Sequence, residues 1–417
     1  MKKWISFVCL GLLFLSGTAF AEDETAELRR IIEEQNQRIS DLMSRIETIE
    51  SAQDNQAEWI EQKDKPIWTD TIKVSGDFRY RHELIDEEDL DNRNRHRIRA
   101  RIGVGATLSD EVDLGFQLAT SEASGRNSEG DPVSNNQTLT NAFSFKEIWL
   151  SQAYADYHPA AVPGFRLIGG KMPYPFITAG KSELIFDGDL APEGGAVKYA
   201  KKFDSIEALA NLYGFWVLER SADADSGLLG AQGALKYNFT AFEDKAHVLG
   251  GVGYFDYGNI EGEKPFFDKD GKSFGNTLVR GVFPDDFNLF NAFGEVGVTV
   301  KKIPVYIFTD FVTNEAVSKE NDGWLVGFGV GKTKDPGSWE FRYYYRELEK
   351  DAVVGGFADS DFGGGGTNNK GHEVNLGYQL TKNWKLAASY FNNDKKIAGG
   401  EDETGYHRLQ LDAEFKF

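Results

Sequence analysis

The residues with most chemistry to offer are six closely placed arginines. Arg79 and Arg81 are two apart, and Arg95, Arg97, Arg99 and Arg101 follow at the same spacing. A period of two puts each set on one face of an extended strand. Guanidiniums in rows bind anions and orient dipolar solutes, but they do not by themselves make or break bonds. A second polar group is acidic: Glu183, Asp187, Asp189 and Glu193. Bond-making chemistry leaves no comparable trace. No GxSxG, HExxH or P-loop occurs, nor GxGxxG in a strand–helix context, and the six histidines are scattered. The one cysteine, Cys9, lies in an apolar stretch at the N-terminus, so thiol catalysis, disulfides, iron–sulfur clusters and CxxCH haem attachment are excluded from the rest of the chain. Asp268, Asp270 and Gly271 lack the other ligands of a calcium loop and read as a turn. Neither an enzyme, a cofactor nor a metal is expected.

The elements that carry these residues follow from periodicity. After Trp68, Ile72, Val74, Phe78 and Tyr80 alternate with Lys73, Ser75, Asp77, Arg79 and Arg81. The same alternation recurs at 95–108 and again at the end, where Leu409, Leu411, Ala413, Phe415 and Phe417 interleave with polar residues. Each such segment has one apolar and one polar face. Sixteen segments of this kind fit between 71 and 417, joined by connections that are alternately short and long. That alternation, with an even strand number, predicts an all-β fold, an antiparallel up-and-down transmembrane β-barrel of sixteen strands. No apolar run after the N-terminus is long enough for a spanning helix, and a closed barrel is the other structure that satisfies every backbone group in lipid. Aromatics near strand ends, among them Trp68, Tyr80, Tyr157, Tyr237, Trp324, Trp339 and Tyr390, suit interfacial girdles. With apolar faces toward lipid, the arginines point into the lumen; the opposite register would cost roughly 2–4 kcal/mol for each arginine near the midplane. A second reading keeps Arg93 and Arg95 above the membrane, paired with Glu87, Glu88, Asp89 and Asp91.

Composition agrees. Of 417 residues, 45 are Gly, 31 Phe, 16 Tyr and 8 Trp against 11 Pro, which suits many strands rather than disorder. The formal charge of −20 argues against nucleic acid as partner. Lys2 and Lys3, an apolar stretch at 4–15 and Ala19-Phe20-Ala21 form a three-part export signal, predicting a signal peptide over 1–21. Residues 22–62 then read as a helix. Leu28, Ile32, Gln35, Ile39, Leu42, Ile46 and Ile49 form a heptad seam whose isoleucines favour a trimeric coiled coil. A single amphipathic helix lying on the barrel or on an envelope surface is the other reading. Residues 63–70 link the coil to the barrel.

The layout resembles the Putative porin family of Gram-negative outer membranes, general-porin-like barrels with an N-terminal coiled segment. The resemblance is carried by 74–81, 97–108, 148–157, Gly169-Gly170-Lys171-Met172-Pro173-Tyr174-Pro175-Phe176 and Asp189-Leu190-Ala191-Pro192-Glu193-Gly194-Gly195. It implies passive diffusion of small hydrophilic solutes and ions through trimers in the outer membrane, with the coil in the periplasm. It also implies that the third outer loop, 172–193, folds inward and sets Glu183, Asp187, Asp189 and Glu193 opposite the arginine wall; a solvated acidic loop is the other reading of these residues. Phe415 and Phe417 look like the signal read by the barrel assembly machinery; Asp412 stands where that pattern often has a small residue. Lipid and lipopolysaccharide are expected neighbours, the latter through divalent cations on acidic loops such as 83–91. The competing function is structural: a barrel whose coil tethers the membrane to the cell wall or a periplasmic partner.

Overall fold

The structure is a computed structural model. It describes residues 23–63, 71–123, 129–140, 142–241, 243–267, 271–396 and 403–417, with helix side chains over 29–51. The expected signal peptide, the linker after Lys63, Trp68 and the side chain of Leu28 lie outside the described residues. The chain divides between Asp70 and Thr71 into two units.

The first unit is a helix, α1 (Asp23–Lys63). No Gly or Pro interrupts it, which is what a helix of this length needs. Ile32, Ile39, Leu42, Ile46 and Ile49 of its seam are each more than half exposed. No helix among the described residues is long and apolar enough to cross a membrane.

The second unit is the closed antiparallel barrel. Its sixteen wall strands are β1 (Ile72–Glu87), β2 (Arg93–Ser109), β3 (Val112–Thr120), β4 (Ile148–Tyr157), β5 (Phe165–Lys171), β6 (Glu193–Phe203), β7 (Ile206–Leu218), β8 (Ser226–Ala241), β9 (Asp244–Gly258), β10 (Asn288–Val300), β11 (Ile303–Asn314), β12 (Asp322–Gly331), β13 (Trp339–Leu348), β14 (Asn369–Gln379), β15 (Trp384–Lys396) and β16 (Glu403–Lys416). Each pairs with its sequence neighbours, and β16 returns to β1 with Phe78↔Phe415 and Arg81↔Asp412 in register. A further two-residue piece, Gln137–Thr138, pairs with β2 where β3 has already ended. At the seam, Gly76 N donates to Phe417 O at 3.2 Å and Phe417 N donates to Gly76 O at 3.1 Å. A Cβ on Gly76 would sit 2.4 Å from the Arg101 carbonyl oxygen and 2.6 Å from the Phe417 ring, so the closure is built around a missing side chain.

The two ends differ as alternation requires. One end has tight turns such as 110–111, 204–205 and 301–302; the other has long connections, called L1 to L8 in chain order. Outside, Val74, Ile102, Leu212, Leu235, Ile307 and Leu376 are about half exposed or more. Such a continuous apolar wall is unsuited to water and suited to lipid.

Inside, the loops do the packing. L3 (172–192) leaves β5 and crosses the lumen: Ile177 N donates to Gln232 of β8 at 2.9 Å, Gly180 N to Glu295 of β10 at 2.8 Å, and Arg342 of β13 to the Lys181 carbonyl at 3.1 Å. β13 stands across the ring from β5. Phe176 of L3 stacks on Phe186 at 4.1 Å between centroids and packs against Tyr213 at 5.1 Å and Phe255 at 5.7 Å. L5 (259–287) and L7 (349–368) add to this cluster, Phe266 lying 5.8 Å from Phe357. This inner packing removes apolar area from water inside the barrel, as lipid does for the outer face.

Candidate functional site

Beside that apolar cluster a charged patch lies on three consecutive strands, β16, β1 and β2. Register aligns Arg79 with Arg99, Arg81 with Arg97, Glu83 with Arg95 and Asp77 with Arg101. On the other side, Arg81 aligns with Asp412 and Glu83 with Gln410. Like charges directly opposite repel, so this arrangement holds only because carboxylates interleave. Arg81 forms a two-point contact with Asp412, Nε and Nη2 both at 2.7 Å. Asp77 takes Arg99 at 2.9 Å and Arg101 at 2.7 Å. Glu83 takes Arg95 and Arg408, both at 2.5 Å. Arg79, Arg81, Arg97, Arg99 and Arg408 are all buried from bulk solvent. Phe78 and Tyr80, of the opposite parity, are more than a third exposed.

Loops complete the wall. Asp361 of L7 reaches Arg81 at 3.0 Å and Arg408 at 2.9 Å. Burial by itself would raise the Asp361 carboxyl, but these two guanidiniums hold it well below the usual carboxylate range. Asn136 of L2 (121–147) accepts from Arg79 at 2.5 Å, and its carbonyl lies 3.5 Å from Arg97 Nη2. Arg79 and Arg97 are the loosely held members. Among the described residues their nearest carboxylates are 3.9 Å away, and the Nε of each has no hydrogen-bond partner.

The four acids expected on L3 separate. Asp189 alone reaches the arginines, 3.5 Å from Arg101. Glu193 opens β6 and pairs with Lys171 at 2.9 Å, because the chain has already re-entered the wall there. Glu183 and Asp187 gather instead with Asp359 of L7, their carboxylate oxygens within 4.8 Å of one another. Of the described groups this trio has the spacing of a cation site, though Arg346 at 3.5 Å from Asp359 already offsets part of its charge. Burial pushes the Asp187 and Asp359 carboxyls upward. Asp187 also accepts from Ser360 N at 2.9 Å, which ties L3 to L7. The expected picture of an acidic loop facing a basic wall across a gap thus becomes a wall whose arginines are mostly paired in place.

Several of these partners were available to the period-two rule. Asp77 and Glu83 have the same parity as Arg79 and Arg81, and Asp412 that of Arg408. Asp361 and Asn136 lie in loops without periodicity, and no sequence signal marks them.

The comparisons agree with this geometry. The family described as Putative porin matches residues 85–280 and 286–417. The chain belongs to that family. As a porin it is similar in fold to Pseudomonas putida OprB (TM-score 0.52, 11% identity, 83% of this chain and 94% of that one). It is similar too to Salmonella typhi OmpF in a complex with daunomycin (TM-score 0.51, 12% identity, 84% and 99%). Comparison with curated proteins gives no match. Family and fold are those of an outer-membrane channel rather than an enzyme. Of the expected assembly signal, Phe415 of the porin lies on the outer face, stacked 5.1 Å from Trp384, and Phe417 is exposed.

Proposed function

We propose that the porin passes small hydrophilic solutes and ions by diffusion along the β16–β1–β2 wall, the half of the lumen that L3, L5 and L7 leave polar. One observation carries this reading: a set of arginines interleaved with carboxylates at 2.5–3.9 Å on three adjoining strands. A hydrophilic solute exchanges its water for guanidinium and carboxylate contacts, whereas an apolar one displaces ordered water without replacing its bonds. Because charges alternate along the wall, the field is strong across short distances and weak in net sign. Selection then favours dipolar solutes, with anions drawn to Arg79 and Arg97, the two least neutralised cations.

The porin is further proposed to act as a homotrimer, with α1 in the periplasm. The exposed seam of Ile32, Ile39, Leu42, Ile46 and Ile49 supports this, since it gains burial only against further copies or another partner. The same exposed seam also suits a tether to the cell wall or a periplasmic protein. Planar-bilayer recording separates them. The diffusion reading expects conductance steps in groups of three that persist when 22–65 is deleted; absence of conductance in the full chain leaves the tether. Arg97→Glu with Arg99→Glu is expected to shift the reversal potential in a salt gradient toward cation preference, and an unchanged potential refutes the role of the wall.

A further inference from the structure

We propose that the mouth of the charged wall is a binding site for a carboxylate carried on a flat ring. The proposal rests on the diffusion reading and names a solute class for it. A cavity of about 480 Å³ opens at the long-loop end between β1, β2, β15 and β16 on one side and L2, L5 and L7 on the other. That size falls in the range of about 300–1,000 Å³ typical of small-molecule sites. Six basic and four acidic side chains line it, a basic excess within a chain of net charge −20.

Two kinds of group meet there. The first is cationic. Arg97 is 6% exposed, stands 3.9 Å from both Glu83 and Glu122, and has an Nε with no partner among the described residues. Arg408, 2% exposed, pairs through its Nη2 with Glu83 and Asp361, yet its Nε is also without a partner among the described residues. Buried donors left unpaired are costly, and a carboxylate can accept from such guanidinium edges. The second is aromatic. Phe267 and Phe274 of L5 stack at 5.1 Å on one side of the cavity. Tyr406 of β16 lies on another, with the Lys395 ammonium 5.0 Å from its ring centre. An inorganic anion would use only the cations and a neutral ring only the aromatics; a ring-bearing carboxylate uses both. Stacking adds to the attraction beyond the area it buries.

The probes are benzoate, acetate and benzyl alcohol, titrated calorimetrically into the purified full-length porin in detergent, with empty micelles as blank. Potassium chloride conductance is measured on the same preparation. Benzoate is expected to bind saturably and at least 10-fold more tightly than either other probe. Arg97→Gln is expected to weaken benzoate about 10-fold, and Phe274→Ala to weaken benzoate severalfold while leaving acetate unaltered. Equal binding of the three probes, or unchanged benzoate affinity in Arg97→Gln, overturns the site. Should Arg97→Gln fail to fold, judged by heat-modifiable migration on gels, Phe274→Ala decides: equal loss of benzoate and acetate, or no loss, overturns it. Conductance without benzoate preference removes the site and keeps the pore, whereas benzoate preference without conductance does the reverse.

Discussion

Gly180 is where L3 is most exposed to a single added carbon. Its φ is +55°, and a Cβ built on it would lie 2.1 Å from Cγ of Phe308. Phe308 has nowhere to go: it is 2% exposed and the Arg342 guanidinium lies over its ring at 5.2 Å. Gly180→Ala therefore carries a left-handed backbone cost of about 1–2 kcal/mol and an overpacking cost of about 1–3 kcal/mol. Together these lower the docked-to-undocked ratio of the loop tip by a factor of roughly 30 to several thousand. The tip is held by few bonds, chiefly Gly180 N to Glu295 and Arg342 to the Lys181 carbonyl, so it is the loop rather than the wall that yields. Trypsin cleavage after Lys181 and single-channel recording read this out. The variant is expected to be cut at Lys181 under conditions where the parent resists, and to show larger or flickering currents. Gly262→Ala is the control, since Gly262 has φ +80° but nothing within 4 Å of a built Cβ. It carries the backbone cost without the clash and is expected to leave both readouts unchanged. Parent-like currents and protease resistance in Gly180→Ala would refute the claim that the L3 tip is seated on Phe308.

Three further outcomes follow from the same geometry. Gly76→Ala forces a methyl against the Arg101 carbonyl and the Phe417 ring, and the expected loss of about 1–3 kcal/mol should lower the temperature at which the barrel loses its compact gel mobility; an unchanged temperature refutes tight closure at that seam. Asp361→Asn removes the carboxylate shared by Arg81 and Arg408, and breaking buried pairs from one side costs about 3–5 kcal/mol, so amide exchange over 355–364 should accelerate strongly; parent-like exchange would mean that L7 is held by its apolar contacts alone. Acidification should tighten the L3–L7 contact: burial raises Asp187 and Asp359 when the loops are docked, so the docked state binds protons more readily, and the contact is full below the usual carboxylate range and weakens as pH rises through the raised values. Trypsin sensitivity at Lys181 that falls with pH in the parent, and does so less in Asp359→Asn, is the expected pattern; a pH-independent rate contradicts it.

What could be read in advance has a physical boundary. Strand positions are legible because the solvents on the two sides of a barrel wall are different, and a one-residue slip exchanges every side chain between them, which is what makes an inward face the expectation for Arg79, Arg81, Arg97 and Arg99. The rule extends further than it was taken: it places Asp77 and Glu83 beside the arginines as firmly as it places Arg79. Treating the basic residues as a wall and seeking their counterions on a distant loop separated groups that the strands themselves bring to 2.5–2.9 Å. Loops obey no such period. L3 was expected inward, but its acids divided according to where the chain ran: Asp189 to Arg101, Glu193 into β6, Glu183 and Asp187 to Asp359. Nothing in the sequence around Asp361 marks it as a partner of Arg81 and Arg408, because that contact depends on L7 descending into the lumen, and the descent is driven by apolar residues such as Val353, Val354 and Phe362 rather than by the carboxylate. The aromatic cluster is thus a cause of the polar site as well as its neighbour: by holding L7 in place it delivers to β16, β1 and β2 the loop carboxylate that restrains their charge.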